Sequence, residues 1–256
     1  MLLCWQSNIF YKRGMRGDYK NPRGRNNFKY IRAKYSRDLS MHTIWKGNLM
    51  SNAMRKLQDK IGVGADGAFG PNTARAIAKH YELSPKRGAH LLGQSSHESA
   101  KFTICRENLN YSWEALMRTW PSRFKTEEEA KKYHRQPAKI AGKVYLRKSL
   151  GNLSVQDAEN FVGRGFLQIT GKANYKSFAS DMGVPDVLTD PSLVEEEYAF
   201  ETALWFFNKN NLFKIADEGV NDEVIKKITK RVNGGYHGLD DRMDKTKEIF
   251  TWLKEA

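Results

Sequence analysis

Two glutamates nine residues apart, Glu98 and Glu107, have the residue type that acid-base chemistry needs. Glu98 is predicted near the end of a helix, and Glu107 on the loop that follows. If the loop folds back, the carboxyl groups can reach the roughly 6.5–9.5 Å that an acid and a base need to fit one water between them at a glycosidic bond. The pair alone is weak evidence, because most acidic side chains are solvated. Zinc binding through His97 is excluded, since the second histidine of the metalloprotease helix is replaced by Lys101.

A glycine-rich segment carries the second group of candidates, Phe161-Val-Gly-Arg-Gly-Phe-Leu-Gln-Ile-Thr-Gly-Lys-Ala-Asn-Tyr175. Its glycines let the backbone approach a ligand closely. Several of its side chains are uncharged donors and acceptors. These are Gln168, Thr170, Asn174 and Tyr175. Such a surface suits a neutral ligand rich in hydroxyl groups, which is to say a sugar.

This segment closely resembles the glycine-arginine-glycine signature of glycoside hydrolase family 19, the chitinase-like family that includes many phage endolysins. The similarity continues in order along residues 73–250. It includes His97-Glu-Ser99, Glu107-Asn-Leu-Asn-Tyr-Ser112 and Val232-Asn-Gly-Gly235. One departure is Asp157-Ala158, where Asp-Gly is usual in the family, and it affects only a turn.

The resemblance implies a role for each matching residue. Glu98 corresponds to the catalytic acid and Glu107 to the catalytic base. Thr170 stands where the family places a hydroxyl group that helps hold the attacking water. Substrate-binding or cleft positions are matched by Tyr111, Gln168, Asn174, Tyr175 and Asn233. Arg242 resembles the arginine of the family's last helix that holds the base in place.

The implied reaction is an inverting hydrolysis. Glu98 is expected to be kept protonated by burial and by its fellow carboxyl group, so that it donates to the glycosidic oxygen. Glu107, kept ionised by Arg242 or another cation, is expected to activate a water held with Thr170. The resemblance implies no metal and no organic cofactor.

Each candidate also has an ordinary structural interpretation. Both glutamates can be surface or salt-bridged carboxylates. Thr170 can be the N-cap of the helix that follows it. Asn233 can be a turn residue and Arg242 a surface cation, while Gln168 and Asn174 can be structural hydrogen-bonding residues.

Ahead of these motifs, Gly64-Ala-Asp-Gly-Ala-Phe-Gly-Pro-Asn-Thr73 follows Leu57-Gln58. This stretch resembles the peptidoglycan-binding repeat of many wall hydrolases, although it is shorter than a full three-helix module. The alternative interpretation is an ordinary turn between helices. The motif favours peptidoglycan glycan strands as the partner, cut at the β-1,4 bond between N-acetylmuramic acid and N-acetylglucosamine, as in a muramidase-type endolysin.

Four other functions remain open at this point. A chitinase would cut N-acetylglucosamine polymers, and a lytic transglycosylase would need one carboxyl group and yield anhydro-sugars. A non-catalytic wall-binding protein would leave both glutamates idle. A nucleic-acid binder would explain the net charge of +14 but none of the motifs, so nucleic acid is not an expected partner.

The expected fold is mainly α: an irregular lysozyme-like or chitinase-like helical domain with a substrate cleft at 84–256, preceded by a small peptidoglycan-binding segment at 50–83. Ser84 followed by Pro85 predicts a helix start that continues to about Lys101, and Asn72 or Thr73 is the predicted N-cap of the preceding helix. Further helices are predicted near 112–119, 126–134, 137–146, 171–182, 191–209, 222–231 and 240–254. The longest is expected from Leu193 to Phe207.

Residues 1–49 hold 11 Lys and Arg against 2 Asp and Glu and have no sustained period. They are interpreted as a disordered or non-native extension. The alternatives are translation from Met50 or Met54, a solvated basic tail, and an arm that binds an anionic envelope.

Location is inferred from what the sequence lacks. It shows no secretory signal at Met1–Phe10 and no apolar run of roughly 18–20 residues, so no membrane insertion is expected. Cys4 and Cys105 are interpreted as free thiols. The protein is expected to be a monomer. The resemblance implies that it stays in the host cytoplasm until holin pores release it to the wall.

Overall fold

The computed structural model describes residues 52–255, and this part of the chain is mainly helical, which confirms the predicted class. Predictions for residues 1–49 and for Cys4 lie outside the described residues. Within 52–255, β structure is limited to two isolated bridges. The α-helices are α1 (Asn52–Ile61), α2 (Pro71–His80), α3 (Pro85–Glu98), α4 (Trp113–Thr119), α5 (Glu127–Lys131), α6 (Pro137–Val144), α7 (Val155–Asn160), α8 (Lys172–Met182), α9 (Leu193–Glu196), α10 (Ala199–Lys209), α11 (Leu212–Ala216), α12 (Asp222–Asn233) and α13 (Leu239–Lys254).

The described residues form two compact units. Unit 1 contains Asn108–Phe161 and Gly171–Thr189. Unit 2 contains residues 52–107, Val162–Thr170 and residues 190–255. The predicted boundary at residue 83 is not a division between these units, since both sides of it belong to unit 2.

Unit 2 has one hydrophobic core to which the first two helices contribute. Met54 and Leu57 of α1 and Ile77 of α2 are buried in the same cluster as Leu91 of α3 and Ile249 of α13. The apolar faces of α1 and α2 are therefore covered by the helices that carry the rest of unit 2, and their burial helps to stabilise that unit.

The motif that resembles a wall-binding repeat is held together by the buried side chain of Gln58. Its amide nitrogen donates to Asp66 Oδ1 at 2.7 Å, to the Ala68 carbonyl at 2.9 Å and to Thr73 Oγ1 at 3.1 Å. Its amide oxygen accepts from the Gly67 N–H at 2.7 Å. These polar residues of the motif are therefore engaged within the turn between α1 and α2.

Two helix starts show how local chemistry sets the boundaries. α3 begins as predicted, with Ser84 accepting a hydrogen bond from the Arg87 N–H and Pro85 in the first turn. The predicted N-cap of α2, Asn72 or Thr73, is wrong. That helix begins at Pro71 with Gly70 as N-cap, because proline lacks the N–H that a first-turn residue leaves unpaired anyway.

α3 ends at Glu98, three residues before the predicted Lys101. The next residues, Ala100, Lys101 and Phe102, all have positive φ, at 48°, 58° and 63°. Such left-handed conformations are costly for residues with a Cβ and cannot continue a right-handed helix. The Ser99 hydroxyl accepts the Phe102 N–H at 3.0 Å and stabilises this turn.

The continuous helix predicted from Leu193 to Phe207 is wrong. The chain forms the short helix α9, breaks at Glu197 and Tyr198, and resumes as α10. The carbonyl of Ala199 accepts the N–H of Phe166 at 2.9 Å, so the start of α10 bonds to the glycine-rich loop. The longest described helix is instead α13, with 16 residues.

Unit 1 is built from α4 to α8. Lys172 at the start of α8 pairs with Asp157 at 2.6 Å, and its N–H donates to the buried Asn152 side chain at 2.9 Å. Among residues 52–255, no helix is long and apolar enough to cross a bilayer.

Candidate active site

Glu98, the last residue of α3, is held by Arg242 in the first turn of α13. Arg242 donates through Nη2 to Glu98 Oε1, through Nη1 to Gln94 Oε1 at 2.6 Å and through Nε to the His237 carbonyl at 3.0 Å. Arg242 is 1% exposed. Its guanidinium group is therefore fully committed to fixing the end of α3 and the loop before α13.

This placement corrects two interpretations of Arg242. It is not a surface cation, because it is buried, and its carboxylate partner is Glu98 instead of the expected Glu107. The reason is the close packing of α3 against α13. A Cβ added at Gly93 would lie 2.9 Å from the Cα of Thr246, so the two helix backbones approach closely there.

A second pair lies beside the first. His97 Nδ1 and Asp241 Oδ2 are 2.5 Å apart, so consecutive residues of α3 bond to consecutive residues of α13. Burial acts to raise the pKa of Asp241, but hydrogen bonds from Lys245 and His97 outweigh it and leave that pKa below its ordinary value. The two neighbouring pairs fix the end of α3 in rotation as well as in position.

Glu107 is fixed by the glycine-rich loop. Its N–H donates to the Gly163 carbonyl at 3.0 Å, and the Gly163 N–H donates back to Glu107 Oε1. The adjacent residues Arg106 and Arg164 form an antiparallel bridge. The loop therefore sets the direction of the Glu107 carboxylate through its own backbone.

Three predicted site residues converge at Gly163. A Cβ added there would lie 2.8 Å from Gln168 Oε1, 3.1 Å from Thr170 Oγ1 and 3.2 Å from Glu107 Cδ. The structure thus brings an acid residue, a hydroxyl group and an amide around one glycine. The side chains of this cluster are only partly buried, which leaves them accessible to solvent.

The alternative interpretation of Thr170 as an N-cap is wrong. α8 begins at Lys172 with Gly171 as its N-cap, and the Lys172 N–H donates to the Asn152 side chain. The Thr170 hydroxyl instead belongs to the cluster around Gly163.

Asn233 is the last residue of α12, and Gly234 follows it in the left-handed conformation. Its Oδ1 is buried and has no hydrogen-bond partner among residues 52–255. Buried acceptors in folded proteins are nearly always paired, so this oxygen is suited to receive a donor from a ligand.

The remaining predicted residues lie in unit 1, whereas all those above lie in unit 2. Tyr111 is half-buried and packs edge-on against Trp120 at 4.9 Å, and Asn174 is half-buried in the first turn of α8. Tyr175 is 0% exposed and packs against Phe161 at 5.1 Å. The structure places the Tyr175 ring in the core of unit 1, where it supports α8, and not on an open surface beside a cleft.

A protein-family model for class I chitinases, glycoside hydrolase family 19, matches residues 73–222, more than half of the chain. The chain belongs to glycoside hydrolase family 19. It is therefore a chitinase-like glycosidase, and the match covers Glu98, Glu107 and the glycine-rich loop.

This family 19 glycosidase has relatives in bacteria and plants. A glycosyl hydrolase family 19 domain-containing protein of Haemophilus influenzae is 36% identical over 156 residues, which cover 60% of this chain and 74% of that protein. An endochitinase of Arabidopsis thaliana is 37% identical over 82 residues, 31% of this chain and 27% of the plant protein. An inactive endochitinase of the same plant is 33% identical over 107 residues, 39% of this chain and 36% of that protein.

Two features of the family 19 site were missed by sequence reasoning. The Asp241 partner of His97 belongs to another helix, and only its position next to Arg242 could have suggested it. Glu195 pairs with Arg106 and Arg164, the neighbours of Glu107 and Gly163. It lies in a run of three glutamates whose pattern is typical of a solvated helix face.

Proposed function

We propose that this glycosidase hydrolyses the β-1,4 bond between N-acetylmuramic acid and N-acetylglucosamine in peptidoglycan, with inversion at the anomeric carbon. The observation that carries the proposal is the cluster around Gly163, where Glu107, Thr170 and Gln168 converge. A carboxylate beside a hydroxyl group and an amide is suited to hold and deprotonate a water molecule.

Glu107 acts as the base in this proposal. The Gly163 N–H orients the Glu107 carboxylate, which accepts the proton of the attacking water. Thr170 holds the same water through its hydroxyl group. Removal of the proton makes the water nucleophilic as the bond to the leaving group weakens, and attack from the opposite face inverts the product.

Glu98 acts as the acid and donates a proton to the glycosidic oxygen. Arg242 and its partner Gln94 hold the carboxyl group in place. Once the proton has left, the adjacent guanidinium group stabilises the Glu98 anion. Asn233 Oδ1 accepts a hydroxyl or amide donor of the bound sugar.

Two observations support peptidoglycan as the substrate. The segment from Leu57 to Thr73 resembles a wall-binding repeat, and the net charge of +14 favours encounter with an anionic polymer. Chitin is the second candidate, because two of the matched plant relatives are named endochitinases.

The test is digestion of purified peptidoglycan and, separately, of an N-acetylglucosamine hexasaccharide. Mass spectrometry of the new reducing ends is expected to find N-acetylmuramic acid, and NMR of the first product is expected to find the inverted anomer. Cleavage of the hexasaccharide alone would establish the chitinase alternative. Anhydro-sugar products or a retained anomer would reject the inverting mechanism.

The two carboxyl groups are tested by Glu98→Gln and Glu107→Gln. Each is expected to lower kcat about 10²–10⁴-fold, the usual contribution of a positioned acid or base. Glu223→Gln is the matched control, because that side chain is 78% exposed. Full activity of either site variant would reject its assigned role.

We further propose that the protein acts as a monomeric endolysin that is released from the host cytoplasm through membrane pores. Cells that express it are expected to lyse only after the membrane is permeabilised, and Glu107→Gln is expected not to lyse them. Lysis without permeabilisation would reject the dependence on release, and sedimentation as a dimer would reject the monomer.

A further inference from the structure

Three charged residues form a cluster beside the chain segment that carries Glu107. Glu195 Oε1 lies 3.3 Å from Arg106 Nη1 and 3.7 Å from Arg164 Nε. The side chains of Glu195 and Arg164 are each only 7% exposed. Buried charges of this kind persist only when they are paired, because removing them from water is costly.

The cluster lies on the opposite face from the Gly163 site. Arg106 and Arg164 face each other in an antiparallel bridge, and consecutive side chains of an extended chain alternate between its two faces. The two arginines therefore share one face. Glu107 follows Arg106 and Gly163 precedes Arg164, so these two residues share the other face.

Glu195 reaches this face because the helix containing it is interrupted. α9 ends at Glu196, and α10 bonds to the glycine-rich loop through the Ala199 carbonyl. Burial and then the Glu195 charge raise the pKa of Cys105 to about 11, because this carboxylate lies close to the chain segment before Glu107.

We propose that Glu195 is a positioning residue for the base. This inference rests on the proposed function, in which Glu107 is that base. The carboxylate binds both Arg106 and Arg164 on the face opposite Glu107, and so keeps the chain segments of Glu107 and Gly163 at hydrogen-bonding distance. Without it, two like charges face each other across the bridge, one of them buried.

Removal of the Glu195 carboxylate is expected to misalign the Glu107 side chain without weakening substrate binding. A displacement of about 1 Å in a catalytic group is enough to slow chemistry on the order of 100-fold. By the same alternation, Glu195 is on the far face from Glu107 and Gly163, so KM is expected to change little.

The test compares Glu195→Gln and Glu195→Asp with Glu196→Gln. The control removes the neighbouring carboxyl group of α9, whose nearest ion-pair contact is Lys56 at 3.9 Å. Kinetics are measured on whichever of peptidoglycan and the N-acetylglucosamine hexasaccharide the wild type cleaves. Urea unfolding gives the folded fraction of each variant, so that kcat refers to folded protein.

Glu195→Gln is expected to lower kcat about 10- to 100-fold with KM within about twofold, since an interaction that matters only in the transition state affects kcat alone. Glu195→Asp is expected to recover part of the loss because it keeps the charge. Adding Glu195→Gln to Glu107→Gln is expected to cause no further loss.

A kcat for Glu195→Gln equal to that of Glu196→Gln would overturn the inference, as would a loss confined to KM or an additive loss in the double variant. These results are distinct from failure of the proposed function. In that case Glu107→Gln itself would retain full activity, whatever the Glu195 variants do.

Discussion

Gly163 and Glu107 are joined by two hydrogen bonds that run in opposite directions. The Glu107 N–H donates to the Gly163 carbonyl at 3.0 Å, and the Gly163 N–H donates to the Glu107 carboxylate. One residue thus fixes both the backbone and the side chain of the proposed base. A backbone amide orients Glu107, whereas the Arg242 side chain holds the other glutamate, Glu98.

Gly163→Ala is expected to lower activity without unfolding the protein. The added methyl group would lie 2.8 Å from Gln168 Oε1 and 3.2 Å from Glu107 Cδ, so these side chains must move. We expect kcat to fall on the order of 10- to 100-fold, as for a misaligned catalytic group. Gly64→Ala is the control, because nothing lies within 4 Å of its added Cβ. Equal kcat values for the two variants would contradict the close packing at Gly163.

Arg242→Met is expected to reduce the free energy of unfolding strongly. It leaves Glu98 and Gln94 without their buried partner, and breaking such a pair costs about 3–5 kcal/mol. Lys227→Met removes an exposed pair with Glu218 and is expected to change the free energy of unfolding little, because water screens such a pair. Urea unfolding monitored by circular dichroism measures both, and a similar cost for the two variants would contradict the buried pairing.

Gln58→Leu is expected to destabilise the turn between α1 and α2. The substitution removes hydrogen bonds to Asp66, Gly67, Ala68 and Thr73. It leaves the part-buried Gly67 N–H without its Gln58 acceptor, and a loss of this kind costs about 1–3 kcal/mol. Gln156→Leu, at an exposed site where the amide bonds Asn160 at 2.8 Å, is the control. Thermal unfolding compares the two, and an unchanged Tm for Gln58→Leu would show that the network contributes little.

His90 is expected to make stability depend on pH below about 6.5, the ordinary pKa of histidine. Burial lowers the pKa of His90, although its hydrogen bond to the Gly219 carbonyl opposes this. As pH falls, the unfolded chain therefore takes up a proton before the folded protein does. The free energy of unfolding then decreases by up to about 1.4 kcal/mol per pH unit, until the pH reaches the folded pKa.

Urea unfolding between about pH 5 and pH 7 measures this slope. Carboxylates in ion pairs, such as Asp217, have lowered pKa values, so they change the free energy of unfolding only in more acidic solution. His90→Asn is expected to flatten the slope, and His134→Asn, at an exposed position, to leave it unchanged. A slope that survives in His90→Asn would assign the effect to another group.

Local chemistry made part of this structure predictable. Ser84 and Pro85 mark the start of α3 through their own capping and φ preference. The spacing of Gln168 and Thr170 within one short loop brings them together whatever the rest of the chain does. The helix break after Glu196 was not predictable in this way, because the apolar period of Leu193–Phe207 continues through it.

The sequence alone determined the helical class and the family, and it predicts the two glutamates of the site, because these inferences depend on periodicity, capping and short motifs within neighbouring residues. Only the tertiary structure decided which groups hold those glutamates: Arg242 for Glu98, and Gly163 for Glu107. The physical reason is distance along the chain. Such partners are separated by tens of residues or more, and they meet only where packed helices and a folded loop bring them together.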